Sequence, residues 1–333
     1  VSVKAHKKPW RETPLHESSA LSRAAGCRVF LKLENLQPSG SFKSRGIGHY
    51  MHRRLLEHPS PHTAHFYCSS GGNAGLACIH ASKVFKRPCT IVVPTATSAG
   101  IIAKMRASGA SKVIQYGANW KAADTFMHEA VMKGDDAIYV PPFDHPDIWA
   151  GHETMVEEII DELYGEKPDA IICSVGGGGL LCGLIQGLDK RGWGHDIDIL
   201  AMETIGADSL NTSIRKGEHI TLPEITSLAT TLGCVRVCDE AWEYAQRPNV
   251  HSIVLEDAEA AMGCWRLADD ERLMVEMSCG VDVALCYDGR LKNALGKKLT
   301  KDSKVVVVLC GGSNVTVDLL NEYRRNFGYI EQK

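Results

Sequence analysis

Short apolar, β-branched runs alternate along the chain with longer stretches of helical spacing. Residues 28–33, 64–68, 89–93, 112–116, 137–140, 170–175, 197–202 and 304–309 read as strands. Several are apolar throughout, without in-and-out alternation, which is the pattern of strands covered on both faces. Between them, residues 73–86, 118–133, 148–164 and 258–268 carry helical periodicity. This alternation predicts an α/β fold built on open, twisted, mostly parallel sheets. No internal repeat or low-complexity linker separates the elements, so the domains are expected to be interleaved. Residues 1–45 plus 147–333 form the expected large domain, and 46–146 a small α/β domain inserted in it.

Composition narrows the function classes. The 333 residues are 44% hydrophobic and 23% charged, with a formal net charge of −3. No Lys/Arg block stands out, which argues against nucleic acid and anionic membrane as partners. No apolar run approaches the ~20 residues of a membrane span. The N-terminal stretch 1–11 is basic but has no hydrophobic core, so it does not read as a secretory signal. It also begins without Met, which leaves room for a removed upstream segment. The twelve cysteines are scattered, many within apolar runs, and no C-x-x-C pair occurs. They are expected to be reduced core thiols of a cytoplasmic protein rather than a disulfide framework.

Three glycine-rich turns fall where strands should end: residues 71–75, 176–179 and 311–312. Ligands of open parallel sheets bind beyond the carboxyl ends of the strands. In the second turn Gly176, Gly177, Gly178 and Gly179 stand between an apolar strand and an apolar helix, where exposed backbone N–H groups suit a phosphate dianion. No Lys-Ser/Thr follows, and Leu181 and Cys182 break the G-x-G-x-x-G spacing, so a nucleotide fits poorly. Close helix–sheet packing is the alternative reading of this turn. Lys43, flanked by Ser41, Phe42, Arg45 and Gly46, reads either as a solvated helix-start lysine or as an amine held near apolar surface. The second state lowers its proton affinity and lets it attack a carbonyl.

Taken together, Ser39-Gly40-Ser41-Phe42-Lys43, Ser69-Ser70-Gly71-Gly72-Asn73-Ala74-Gly75, the four-glycine turn and Cys310-Gly311-Gly312-Ser313-Asn314 resemble the fold-type II pyridoxal-phosphate enzymes. More narrowly, the chain is similar to the eukaryotic L-serine dehydratase/L-threonine deaminase group. The resemblance runs from about Lys32 to Asn314 and includes Pro141-Pro142-Phe143-Asp144, Ile148-Trp149, Gly151-His152 and Met202-Glu203-Thr204. It implies two domains with pyridoxal 5'-phosphate in the cleft between them, a homodimer, and α,β-elimination of L-serine and L-threonine.

The resemblance also implies roles. Lys43 would hold the cofactor covalently and take the substrate Cα proton, with Phe42 against the ring and Asn73 on its 3'-hydroxyl. Gly176 to Gly179 with Leu180 would cradle the phosphate. Cys310, next to Gly311, would face the ring nitrogen. Ser39, Ser69, Ser70, Gly71 and Gly72 would form the substrate loops. A monovalent cation, taken to be K+, would be held by Glu203, Ala207, Ser209, Leu232 and Cys234. Thr231 departs from the family pattern, in which alanine usually covers the second ring face. Gly71 lacks the hydroxyl that related racemases use as a second proton carrier, which favours elimination. The short stretch after Asn314 points away from an appended regulatory domain and toward catabolic use. A cysteine-synthase type β-replacement enzyme and a non-catalytic phosphate binder remain alternatives. His152-Glu153 reads as structural rather than metal-binding.

Overall fold

The computed structural model describes residues 7–295 and 299–332. Residues 1–6, the start of the basic N-terminal stretch, lie outside them. The described strands are β1 (Leu15–Glu17), β2 (Arg28–Lys32), β3 (His65–Cys68), β4 (Cys89–Val93), β5 (Lys112–Gln115), β6 (Ala137–Tyr139), β7 (Ala170–Ser174), β8 (Asp198–Thr204), β9 (Val250–Leu255) and β10 (Lys304–Val308). The chain divides into two compact units, one taking residues up to Arg11 and Gln37–His152, the other Glu12–Leu36 and Glu153–Lys333. The sequence reading set its junctions at 45/46 and 146/147. Here the helix Lys43–Glu57 packs on the helix Asn73–Phe85 of the first unit.

The first unit carries a four-stranded sheet in the order β5-β4-β3-β6, all parallel. Its central β4 is buried along its whole length, and its one polar side chain, Thr90, is bonded to His65 at 2.9 Å. The connecting helices start on side-chain caps where polar residues precede them. Ser98 Oγ accepts from the Ile101 N–H, and Asn119 Oδ1 accepts from the Ala122 N–H. The predicted helix 118–133 is shorter, Trp120–Phe126, and continues as a wider π turn over Met127–Val131.

The second unit carries a six-stranded sheet in the order β1-β2-β10-β7-β8-β9, parallel except for β1 on β2. β10, last in the chain, inserts between β2 and β7, and Val305, Val306, Val307 and Val308 are fully buried there. The helices Asp257–Glu271 and Met277–Ala284 cross closely beside this sheet. A Cβ at Gly263 would lie 2.2 Å from Gly280 O, and one at Gly280 would lie 2.3 Å from Ala260 O, so the crossing depends on both positions lacking side chains.

The helix Pro146–Glu162 begins on a proline, where the missing N–H costs nothing, and carries the chain from the first unit into the second. All twelve cysteines are free thiols, and all but the half-exposed Cys234 are buried, as expected of core residues. No described helix is long and apolar enough to cross a membrane.

Candidate active site

In the first unit, the chain leaves Gln37 through a tight turn, with the Gly40 N–H donating to Gln37 O at 2.7 Å, and enters the helix Lys43–Glu57 at the lysine itself. Ser39 is tied down by Ser44, whose Oγ accepts the Ser39 N–H at 3.1 Å and lies 2.8 Å from Ser39 Oγ. Lys43 Nζ donates to Pro142 O at 2.6 Å and sits 5.2 Å from the Phe42 ring centroid. The amine is half-buried against an aromatic face, and its partner is the backbone carbonyl of Pro142 in the double-proline segment.

Behind Phe42 stands His152, fully buried, with ring centroids 5.0 Å apart and neither imidazole nitrogen hydrogen-bonded. Burial, reinforced by the Lys43 and Arg45 charges, pushes its pKa well below the usual 6.5, so the ring is neutral.

At the end of β3 the serine loop is already engaged internally. Ser69 Oγ–H donates to Asp124 Oδ1 at 2.6 Å, which also accepts from the Tyr139 hydroxyl at 3.2 Å. Ser70 Oγ accepts the Gly72 N–H at 3.2 Å. Asn73 opens the next helix, whose start has no side-chain cap. Burial beside Asp124 raises the Tyr139 phenol. Asp124 and Tyr139 were not foreseen, because nothing local in the sequence marks an acid that will meet a strand-end serine.

In the second unit, β7 runs into the four-glycine turn. Gly178 adopts φ +91°, and a Cβ there would stand 2.4 Å from Ala241 Cβ, so handedness and space both demand glycine. Gly177 O accepts the Cys238 N–H at 3.0 Å, which pins the turn. The helix Gly179–Lys190 begins without a side-chain cap, leaving the first amides, Leu180 among them, to an anion. At Gly176 a Cβ would lie 3.3 Å from Leu232 O and 3.5 Å from Thr231 O, so the turn lies directly against that 3₁₀ segment.

The Thr231 side chain is anchored by two partners. Its hydroxyl donates to Glu276 Oε1 at 2.7 Å and is also bonded to Ser278 Oγ, which donates to the same oxygen at 3.1 Å. Gly312, at φ +108°, leaves the space that the Glu276 side chain fills. At the end of β10, the buried Cys310 places its sulfur 3.4 Å from Ser174 Oγ, and burial pushes the thiol well above its ordinary value. Gly311, at φ +86°, turns the chain beyond it.

The five cation candidates fall on two segments. Glu203 ends β8 with both oxygens engaged, Oε1 by the Leu210 N–H at 2.9 Å and Oε2 by the Asn211 N–H at 2.8 Å. It thus caps the helix Ser209–Lys216, and burial raises its carboxyl to about 8. Ala207 lies in the turn between, and Ser209 Oγ is buried without a partner. Leu232 closes the 3₁₀ segment Thr230–Leu232, and Cys234 follows it, its thiol donating to Arg236 O at 2.9 Å.

These features fit pyridoxal phosphate: an amine able to reach a carbonyl, an uncapped glycine helix start shaped for a phosphate, and a buried neutral thiol at a strand end. The model of the pyridoxal-phosphate dependent enzymes matches residues 7–311. The chain is 41% identical over 326 residues to the catabolic L-serine/threonine dehydratase of Saccharomyces cerevisiae, covering 94% of this chain and 90% of that one. It is likewise 41% identical to the human L-serine dehydratase/L-threonine deaminase, covering 95% of each. Among solved structures, a fungal L-serine ammonia-lyase from Rhizomucor miehei superposes with a TM-score of 0.88 at 35% identity, over 96% of this chain and all of that one. The fold-type II architecture expected from the sequence is present, and the chain belongs to the pyridoxal-phosphate dependent enzyme family.

Proposed function

We propose that this protein removes water and ammonia from L-serine to give pyruvate, and converts L-threonine to 2-oxobutanoate in the same way. The observation that carries the reading is the 41% identity, spread over nearly the whole of both chains, to enzymes named for these two substrates. When bound, the cofactor supplies an electron sink for the pair left on the substrate Cα.

The chain's own groups supply the rest. Lys43 Nζ makes the covalent link and, once released, accepts the Cα proton, a task suited to an amine held at a carbonyl oxygen beside an aromatic face. Phe42 and the Thr231 methyl cover the ring faces, and Asn73 orients the ring. The amides from Gly176 to Leu180 hold the phosphate, and Cys310 offers the ring nitrogen a neutral thiol. Ser39, Ser70 and backbone N–H groups from Ser69 to Gly72 hold the substrate carboxylate. The hydroxyl leaves as water, and hydrolysis of the enamine product releases ammonia. We place K+ at Glu203, Ala207, Ser209, Leu232 and Cys234, a reading that rests on the family resemblance and is supported by the buried, unpartnered Ser209 Oγ, an oxygen donor that suits a hard cation. The free, buried thiols support a reducing compartment, which we take to be the cytoplasm. A homodimer rests on the family resemblance.

The test is the visible spectrum of the purified protein before and after L-serine, with pyruvate followed in parallel. A cofactor band that changes with serine while pyruvate accumulates supports the reading, and Lys43→Ala removes both responses. Faster cysteine than pyruvate formation from O-acetylserine and sulfide would replace elimination by β-replacement.

A further inference from the structure

One buried acid stands outside every role assigned above. Asp282, on the helix Met277–Ala284, is fully buried. Its Oδ2 lies 4.0 Å from Cys310 Sγ, at the outer limit of a hydrogen bond to sulfur, and its Oδ1 has no hydrogen-bond partner. The titratable groups facing it are thiols: Cys173 from β7, Cys279 from its own helix, Cys286 just beyond that helix, and Cys310 after β10. No lysine, arginine or histidine pairs with it among the described residues.

Ser174, whose Oγ lies 3.4 Å from Cys310 Sγ, gives the carboxyl a side-chain and a backbone hydrogen bond, but no cation faces it, so burial dominates, pushes its pKa well above the carboxylate range and keeps the proton in place. A packing residue here would be apolar. A neutral carboxylic acid differs from one in having a single O–H to donate. The sulfur that it reaches belongs to the residue assigned to the cofactor's ring nitrogen.

We propose that Asp282 is a positioning residue for Cys310: as a neutral acid it donates its O–H to the sulfur, leaving the S–H free to donate to the ring nitrogen. The inference rests on the reading that Cys310 faces that nitrogen. Ionised Asp282 would reverse the pair. The thiol would then donate to the carboxylate, and the sulfur lone pairs would meet an unprotonated nitrogen, acceptor against acceptor. One proton on a residue that never touches the cofactor thereby selects which way the thiol points.

The experiment follows the bound-cofactor absorption band of the holoenzyme against pH, in the wild type and in Asp282→Asn, Asp282→Leu and Cys310→Ala. It is paired with titration of each apoenzyme by pyridoxal phosphate. The wild-type band shifts as the pH is raised. Asp282→Asn, whose carboxamide donates at every pH, loses this shift and holds the low-pH position. Asp282→Leu, which neither donates nor accepts, also loses the shift and, with the thiol no longer oriented, binds the cofactor roughly five-fold more weakly, the loss of one hydrogen bond. If Cys310→Ala changes neither band nor affinity, the reading of Cys310 itself fails. If it changes them while Asp282→Asn keeps the wild-type pH response, the Cys310 reading stands and the role of Asp282 is overturned. The near-isosteric Asn variant guards against loss of fold, which the apoenzyme melting curves monitor.

Discussion

The imidazole of His152 occupies the space in front of Gly46: a Cβ at position 46 would stand 2.5 Å from His152 Nε2 and 2.7 Å from Ile148 Cγ2. Three residues before Gly46 lies Lys43, so the fit of this imidazole bears on where the helix that carries Lys43 sits. Gly46→Ala is expected to cost about 1 to 3 kcal/mol of stability, the usual penalty of overpacking. The double variant Gly46→Ala/His152→Ala should regain part of that loss, because the two positions share one space. Denaturant melts of the four proteins in the cycle measure the coupling, and simple additivity would contradict the geometry.

His152 also carries an acid sensitivity whose sign is fixed by its burial. Its folded pKa lies well below the ordinary 6.5, so the folded state refuses a proton that the unfolded chain accepts. Its contribution to stability is complete above 6.5 and is lost as the pH falls, by up to about 1.4 kcal/mol per pH unit. His152→Gln should flatten this part of the stability profile between neutral and mildly acidic pH. Parallel profiles in the two proteins would show that the ring protonates without consequence.

Thr231→Val separates the hydroxyl from the methyl. The methyl stays, but Glu276 Oε1 loses the Thr231 hydroxyl as a donor and keeps that of Ser278. The expected cost is about 1 to 3 kcal/mol, in line with an under-satisfied buried acceptor. Thr231→Ala removes the methyl as well, so comparing kcat in the two variants isolates what that methyl does at the ring.

Ser69 has its hydroxyl proton committed to Asp124 at 2.6 Å. Substrate carboxylate is therefore expected to meet its backbone N–H. Ser69→Ala should lower stability by about 1 kcal/mol while changing KM for serine by no more than about two-fold. A ten-fold rise in KM would mean that the hydroxyl swings to the substrate on binding.

Thiol labelling offers a direct check on the core. Cys234 alone among the twelve cysteines is half-exposed, so an alkylating reagent should modify it first in the native protein. Cys234→Ser should then leave the native protein nearly inert until denaturant exposes the rest.

The sequence makes some elements plain and hides others for identifiable reasons. β7 and β10 are legible because a strand buried on both faces must be apolar throughout. β1 is three residues long with His16 and Glu17 exposed, too short to show a period. β9 places His251 and Ser252 on a half-buried strand and so loses the apolar signature. Lys43 and the four-glycine turn stand out because their chemistry is local: a lysine in small-residue company, and glycines at a strand end. Asp124, Glu276 and Asp282 do not, since each is an ordinary acid until folding decides what it faces. Glu203 was read as a cation ligand, and the structure adds a second task, capping a helix with both oxygens.

Gly71 of the first unit and Gly178 of the second differ in their freedom to change. At Gly178 the backbone handedness and the approach of Ala241 exclude a side chain independently, so no single compensating replacement could admit one. At Gly71 the nearest atom to an added Cβ is Val93 Cγ1 at 3.4 Å, ordinary van der Waals contact, and the backbone is not left-handed. A Cβ is accommodated there at ordinary contact distances. The scaffold therefore stands one replacement away from carrying a hydroxyl at the position where related racemases keep their second proton carrier. Packing thus leaves position 71 open to a side chain, whereas at Gly178 it closes that possibility.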